Sequence, residues 1–304
     1  MIALNYFTYR GSATSIGEQP IKGLISPAAN GRLSVAEAVT NLMFAVITEL
    51  ADVKCSGNWM WPAKLDGEGA LLVETCQAMV GLMKQLNIAI DGGKDSLSMA
   101  AKVKTAGGSE VVKSPGTLVI SAYAPVPDIR VKVTPVMKAN GKTGSHSLVY
   151  ANLSGSGSHR LGGSAFAQVM QQVGDSCPDI DSAQQLKSCF NIVQSLIKEG
   201  VCTAGHDVSD GGLVTCLLEM AFATNCGLKV DIKGGKKGVP VFNVLFAEEA
   251  GVVVELRNDG LEAAMQQFKA AGVDAQVVGA AVPENSVQIA VDGVVQIKVR
   301  LSWV

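Results

Sequence analysis

Charge is scarce in this sequence, and neither sign dominates it. Only 17% of the 304 residues are charged and the formal net charge is −2, so the chain lacks the positive field that draws nucleic acid or an anionic membrane surface. Its expected partners are small molecules and proteins, with no nucleic acid and no membrane. No run approaches about eighteen consecutive apolar residues, and the opening MIALNYFTYRG has no basic flank leading into an apolar stretch, so neither a spanning helix nor a secretory signal is read. The seven cysteines, Cys55, Cys76, Cys177, Cys189, Cys202, Cys216 and Cys226, lack the close pairs of a zinc site and the density of a disulfide scaffold. Reduced thiols and a cytoplasmic location follow. Histidine is equally sparse: His146, His159 and His206 are too dispersed for a triad or a zinc site, and only His206, beside Asp207, has a site-like setting.

What is present is apolar. At 48% hydrophobic residues the chain can bury a sizeable core, and its length allows two domains. Met1–Phe7 reads as a strand already under way, which predicts a chain that starts mid-sheet. Apolar residues at helical spacing predict helices over 33–50 and 70–86, followed by the short strand NIAI, a glycine turn DGGKDS at 91–96 and a strand at 117–124. The polar, Pro- and Gly-rich end of 125–147 marks the hand-over between domains, placed near residue 140 to give units 1–140 and 141–304. The second unit opens on the strand LVYANL. Helices are read at 161–173 and 182–198, a strand at VCTA, and a helix after HDVSDGG. Then come LKVDI, GVVVEL, the helix LEAAMQQFKAA, DAQVVGAAV, and a hairpin through Asp292-Gly293. Both units read as α/β, with helices packed on a sheet in an α+β sandwich.

Three segments carry oxygen and glycine chemistry. Glu37 and Asn41 lie one helical turn apart among Ala36, Ala38, Val39 and Leu42, so a carboxylate and an amide oxygen leave one face of an apolar helix. Such a pair suits Mg2+ held jointly with phosphates, and a solvated helix face is the plainer alternative. In GHDVSDGG, 205–212, Asp207, Ser209 and Asp210 follow a strand, and Gly211 and Gly212 open a helix start to an anion; an ordinary capped turn would look similar. In DGGKDS, Lys94 can pair a phosphate while Gly92 and Gly93 permit close backbone approach, but the Walker spacing is absent. Cys202 in GVCTAG has no downstream histidine–glutamate pair, so it reads as a small buried hydrophobe. The tryptophan cluster of 52–64 reads as core filling.

Taken in order, GEQP (17–20), LSVAEAVTNL (33–42), VKCSGNWMWPAK (53–64), DGGKDSLSM (91–99), RLGGSAFAQ (160–168), GHDVSDGGLVTCLLEMAFATNCG (205–227) and LFAEEAGVVVEL (245–256) closely resemble the long, single-chain formylglycinamide ribonucleotide amidotransferases. The resemblance covers essentially the whole chain. It implies an aminoimidazole ribonucleotide synthetase-like N-terminal domain followed by its C-terminal α/β domain, the second of two such units in the family.

What the resemblance further implies is a part in the ATP- and glutamine-dependent ligase reaction of purine biosynthesis, with ATP or ADP and Mg2+ as cofactors. Glu37, Asn41 and Asp207 match the family's metal-holding residues and Ser209 a nucleotide contact; the family's first aspartate is expected just ahead of Met1. A looser match to shorter members makes Asp52, Gly93, Lys94 and Ser96 contacts to ATP or the ribonucleotide substrate. The catalytic histidine and the glutaminase belong to other parts of the family's chain, so no residue here is assigned catalysis. Expected partners are the sister synthetase-like unit, the glutaminase domain, or a second copy through the exposed sheet. Three functions remain: a catalytic nucleotide site, a scaffold holding a structural nucleotide, and a stand-alone synthetase or kinase of the same superfamily.

Overall fold

The computed structural model describes residues 1–139, 144–155, 157–234 and 238–301. The first part contains β1 (Ile2–Ala3), β2 (Gly11–Glu18), α1 (Pro20–Gly23), α2 (Pro27–Leu42), a 3-10 turn (Leu50–Asp52), β3 (Lys54–Met60), α3 (Glu68–Leu86), β4 (Ala89–Ser96), a hairpin of β5 (Ala100–Thr105) and β6 (Gly108–Lys113), and β7 (Thr117–Val126). Five of these strands form one sheet in the order β1-β2-β7-β3-β4. Alternation along β7 buries Leu118, Ile120, Ala122 and Ala124 against α2 and α3, and turns Val119, Ser121 and Tyr123 to the opposite, open face.

The second part contains β8 (His146–Asn152), α4 (Ala165–Val169), α5 (Ala183–Lys198), β9 (Cys202–Val208), α6 (Gly212–Thr224), β10 (Gly227–Ile232), α7 (Val241–Phe246), β11 (Gly251–Arg257), α8 (Asn258–Ala270), β12 (Asp274–Val282), β13 (Ser286–Val291) and β14 (Val294–Arg300). Its seven-stranded sheet runs β14-β13-β10-β12-β8-β11-β9. Both faces are covered, which is why GVVVEL is a continuous apolar run. Val252, Val254 and Leu256 meet Phe190 and Phe268 on α5 and α8, while Val253 meets Leu217 and Met220 on α6. The first of these cores continues into the sheet of the N-terminal part, so the α/β reading holds for both halves.

Helix α5 and the last hairpin begin where the sequence predicts. Ser182 caps α5 by accepting from the Gln185 N–H at 3.4 Å, and Asp292 and Gly293, with φ of 49° and 80°, make the two-residue turn of a β13–β14 hairpin. Ser26 caps α2 in the same way, accepting from the Ala29 N–H at 3.2 Å. Ser26→Ala is expected to lower stability by about 1 kcal/mol, read as a lower urea midpoint at unchanged slope.

Four expectations need correction. The helix predicted over 33–50 starts earlier and stops at Leu42. Beyond it Gln194, buried on α5, donates to the carbonyls of Met43 and Ala45 and accepts from the Ile47 N–H, so tertiary hydrogen bonds replace the helical ones. The expected turn at 91–96 lies inside β4, paired in parallel with β3; a Cβ at Gly93 would stand 2.7 Å from the Gly57 carbonyl oxygen, so its glycine serves strand packing. The helix read at 161–173 is confined to Ala165–Val169, and the strand read over Met1–Phe7 to Ile2–Ala3. The boundary placed at residue 140 lies outside the described residues.

Candidate functional site

Edge strand β9 brings the second part to α2. Gly205 has no side chain because the Phe44 ring occupies that space, its nearest carbon 2.3 Å from where a Cβ would sit, and the Gly205 N–H donates to the Thr134 carbonyl. This close approach places Asp207, the penultimate residue of β9, beside Glu37 on α2. Gly17 makes a matching approach on the other side, since a Cβ there would fall 2.2 Å from the Ser34 carbonyl oxygen. β2, α2 and β9 thus converge with little side-chain bulk between them.

Glu37 is half-buried, and its Oε2 accepts from the Glu18 N–H at 2.7 Å and from Gln19 Nε2 at 2.9 Å. Burial pushes its carboxyl up to about 7; the two hydrogen bonds oppose that rise and the neighbouring Asp207 charge adds to it. Asn41 donates from Nδ2 to the Ile16 carbonyl at 3.0 Å, leaving its amide oxygen as an acceptor. Asp207 is itself buried; His206 Nδ1 lies 2.8 Å from its backbone carbonyl oxygen and 3.2 Å from its carboxylate Oδ1, and Glu219 takes the other ring nitrogen at 2.9 Å. Burial works against a charged His206 ring, but hydrogen bonds that the ring donates to Asp207 and to the Cys216 sulfur outweigh it and raise the ring above its ordinary value. Glu18 and Asp210 form a second acid pair, in which burial first and then Asp210 raise the Glu18 carboxyl.

The surrounding acids are tied by cations the sequence reading did not single out. Lys22 on α1 reaches Glu248 at 2.6 Å with both side chains buried, and Arg160 reaches Glu249 through Nε at 2.7 Å and Asp181 at 3.1 Å. Arg32 on α2 holds Asp179 through Nε at 2.7 Å. The adjacent acids of LFAEEAG therefore face two different parts of the chain. Two consecutive glutamates inside an apolar segment are the signal that could have found them, because each buried carboxylate requires a cation.

The remaining predicted residues fall into two places. Ser209 sits just past β9, its carbonyl accepting from the Gly212 N–H at 3.0 Å, and Gly211 and Gly212 take φ of 84° and 72° at the start of α6. Gly93, Lys94 and Ser96 lie on β4, with Lys94 donating to Ser96, and Asp52 is exposed ahead of β3. Register puts Glu18, Val119, Asn58 and Lys94 in one row across β2, β7, β3 and β4. Lys94 is then three strand spacings, about 14 Å, from Glu18, so the β4 residues are not brought together with Glu37 and Asp207.

Among the described residues no group of three or more His, Cys, Asp or Glu is arranged to hold a metal. The candidate set instead combines two carboxylates and an amide oxygen. Two neighbouring acids and an amide oxygen are hard oxygen donors of the kind a divalent cation takes, so the donor chemistry fits Mg2+. Cys202 is buried and burial pushes its thiol up to about 12, which agrees with a core role. Trp61 is likewise buried, its Nε1 donating to the Glu68 carbonyl at 3.0 Å.

Residues 1–125 match the FGAR-AT PurM_N-like domain, and residues 152–292 match the C-terminal domain of AIR synthase related proteins. The chain is 51% identical over 298 residues to human phosphoribosylformylglycinamidine synthase, covering 97% of this chain and 22% of that protein. Identity to the Drosophila melanogaster synthase is 50%, over 92% and 21%. The Arabidopsis thaliana relative, named as a probable chloroplastic/mitochondrial synthase, is 47% identical over 100% and 21%. The chain thus spans about a fifth of the length of these relatives. Among solved structures it is similar to T. maritima PurL complexed with FGAR, with a TM-score of 0.73 at 12% identity over 96% of this chain and 45% of that one. E. coli HypE, a hydrogenase maturation protein, matches at 0.61 and 17% over 96% and 85%. At those identities the likeness is one of fold.

Proposed function

Because the chain belongs with the phosphoribosylformylglycinamidine synthases, carrying two of their domains over about a fifth of their length, we propose that it supplies a Mg2+-nucleotide site to the synthase reaction. That reaction is the ATP- and glutamine-dependent conversion of formylglycinamide ribonucleotide to its amidine, a carbon–nitrogen ligation. The observation that carries the reading is the approach of Glu37 on α2 to Asp207 on β9, two acids from different parts of the fold whose charges interact. Glu37, Asn41 and Asp207 would hold Mg2+, and Ser209 the nucleotide. When bound, the cation neutralises phosphate charge. Solved PurL structures complexed with ATP and with ADP support a nucleotide on this fold. Lys94 and Ser96 lie on the open side of the five-stranded sheet, Gly93 on its helix-covered side and Asp52 ahead of β3, and these four would contact ATP or ribonucleotide at a separate site completed by a sister unit.

The same site also supports a structural nucleotide. Lys22, the cation beside Glu37, is committed to Glu248 and Gln19. A cation so occupied suits a site that holds phosphate more than one that transfers it. Exchange of bound ADP with labelled ATP in solution separates the two: release within a catalytic cycle supports turnover, and retention supports the structural role. Domain units of 1–140 and 141–304, a sister unit and glutaminase domain as partners, and a second copy on the open sheet face in their place complete the proposal. Its seven thiols, all free, suit a reducing cytoplasm. No helix among the described residues is long and apolar enough to cross a membrane.

The proton on Glu37 gives a test. An acid raised from 4.5 to about 7 holds its proton in the folded state where the unfolded chain has lost it. Its contribution to stability is therefore complete below 4.5 and is lost as pH rises through about 7. Mg2+ competes with that proton, so the thermal shift produced by Mg2+-ADP should be larger at pH 8 than at pH 6. An equal shift at both, with calorimetry showing no uptake of Mg2+-ADP or Mg2+-ATP, would remove the proposed site.

A further inference from the structure

The Lys22–Glu248 pair links a hydrogen-bond partner of Glu37 to the loop that follows Asp207. Lys22 Nζ lies 2.6 Å from Glu248 Oε2, with side chains only 3% and 1% exposed. Lys22 also donates to the amide oxygen of Gln19, which fixes the end of that amide presented to Glu37: the nitrogen, donating to Glu37 Oε2 at 2.9 Å. The Glu18 N–H donates to the same oxygen at 2.7 Å. Among the described residues both donors thus fall on one oxygen of Glu37, and its other oxygen is left for a cation. On the far side, Glu248 Oε1 accepts from the Gly211 N–H at 2.8 Å and from the Ala165 N–H at 2.7 Å. Gly211 ends the loop that carries Ser209, four residues on from Asp207.

A continuous chain therefore runs from Glu37 through Gln19, Lys22 and Glu248 to Gly211, and it crosses from the first part of the fold to the second. Its central link is a charge-assisted bond in a dry setting, which is shorter and stiffer than a neutral one. Without the ammonium group, the Gln19 amide is free to flip and turn its oxygen on Glu37. Without the carboxylate charge, the loop loses its charge-assisted acceptor, and an amide oxygen in its place pins it more weakly. The geometry points to Lys22 and Glu248 as positioning residues that set the separation of Glu37 from the Ser209–Gly212 loop, and with it the affinity for a divalent cation carrying a nucleoside diphosphate. This rests on the nucleotide reading above.

The test uses two variants of the chain. Lys22→Met combined with Glu248→Gln removes both charges and leaves no buried ion unpaired, so the fold is retained. Asp179→Asn weakens the Arg32–Asp179 bridge, which also ties α2 to the second part but reaches neither Glu37 nor Gly211. Amide hydrogen exchange at Glu18 and Gly211 reads the geometry, and calorimetry with Mg2+-ADP reads affinity. The double variant should exchange faster at both amides and bind Mg2+-ADP about tenfold or more weakly, as for other groups that orient metal-holding side chains, while Asp179→Asn changes neither. Unchanged exchange and affinity in the double variant, or equal changes in both variants, would reject the relay alone. Failure of the unaltered chain to bind Mg2+-ADP would overturn the nucleotide reading and this role with it.

Discussion

Glu37→Gln and Asp207→Asn should each weaken Mg2+-ATP binding by about a hundredfold, or roughly 2.7 kcal/mol. Each substitution keeps the size of its side chain and one acceptor oxygen, and removes the negative charge from the proposed cation site. The two acids come from α2 and β9, so neither can take over the geometry of the other. Gln at position 37 can still accept from the Glu18 N–H and from Gln19, which keeps α2 and β2 joined. Asn at position 207 retains one acceptor for His206. Calorimetry checks both variants, and the loss should appear in affinity with little change in unfolding midpoint. Asp179→Asn, a half-buried acid outside the set, should bind as the unaltered chain does.

Lys22→Ala should produce a large loss of stability, about 3–5 kcal/mol, because it strands the Glu248 carboxylate in a buried setting. Glu248 would keep its two backbone donors, Gly211 and Ala165, but lose the only cation it pairs with among the described ion pairs. The loss should appear in urea unfolding as a lower midpoint. Replacing the pair by Met and Gln should recover most of it, since a neutral, well-packed pair carries no uncompensated charge. If Lys22→Ala unfolds at the same urea concentration as the unaltered chain, the pair is solvated and the buried network described for it is wrong.

Much of the architecture could be read before the fold was known, and the misses share a cause. Helices α5 and α6 and the β13–β14 hairpin are set by local signals: a serine cap, a pair of glycines in left-handed conformation, and an Asp-Gly turn. The end of α2 has no local signal, because the residues that stop it are hydrogen-bonded by Gln194, about 150 positions along the chain. DGGKDS looks like a turn by composition, and only the facing glycine at position 57 on β3 shows that it is a strand. The β5–β6 hairpin was not read at all; its residues are exposed on both faces, so it carries no alternation.

The candidate site divides in the same way. Glu37, Asn41 and Asp207 were legible as oxygen donors because each stands in an apolar or glycine-rich setting where a polar group needs a partner. Gln19 and Glu248 were present in the motifs that carried the family resemblance and Lys22 lies two residues past one of them, yet spacing alone gave them no role. Their function depends on a contact between residues 226 positions apart, which no local pattern encodes.

The central claim is that Glu37 and Asp207 share one divalent cation with a nucleotide phosphate. Crystals grown with Mn2+ and ADP, with diffraction recorded for the anomalous signal of manganese, test it most directly. The account predicts a peak within about 2.0–2.3 Å of an oxygen of both Glu37 and Asp207, with a phosphate oxygen beside it. A manganese peak bound to ADP elsewhere on the chain, with Glu37 and Asp207 both outside its coordination distance, would contradict it.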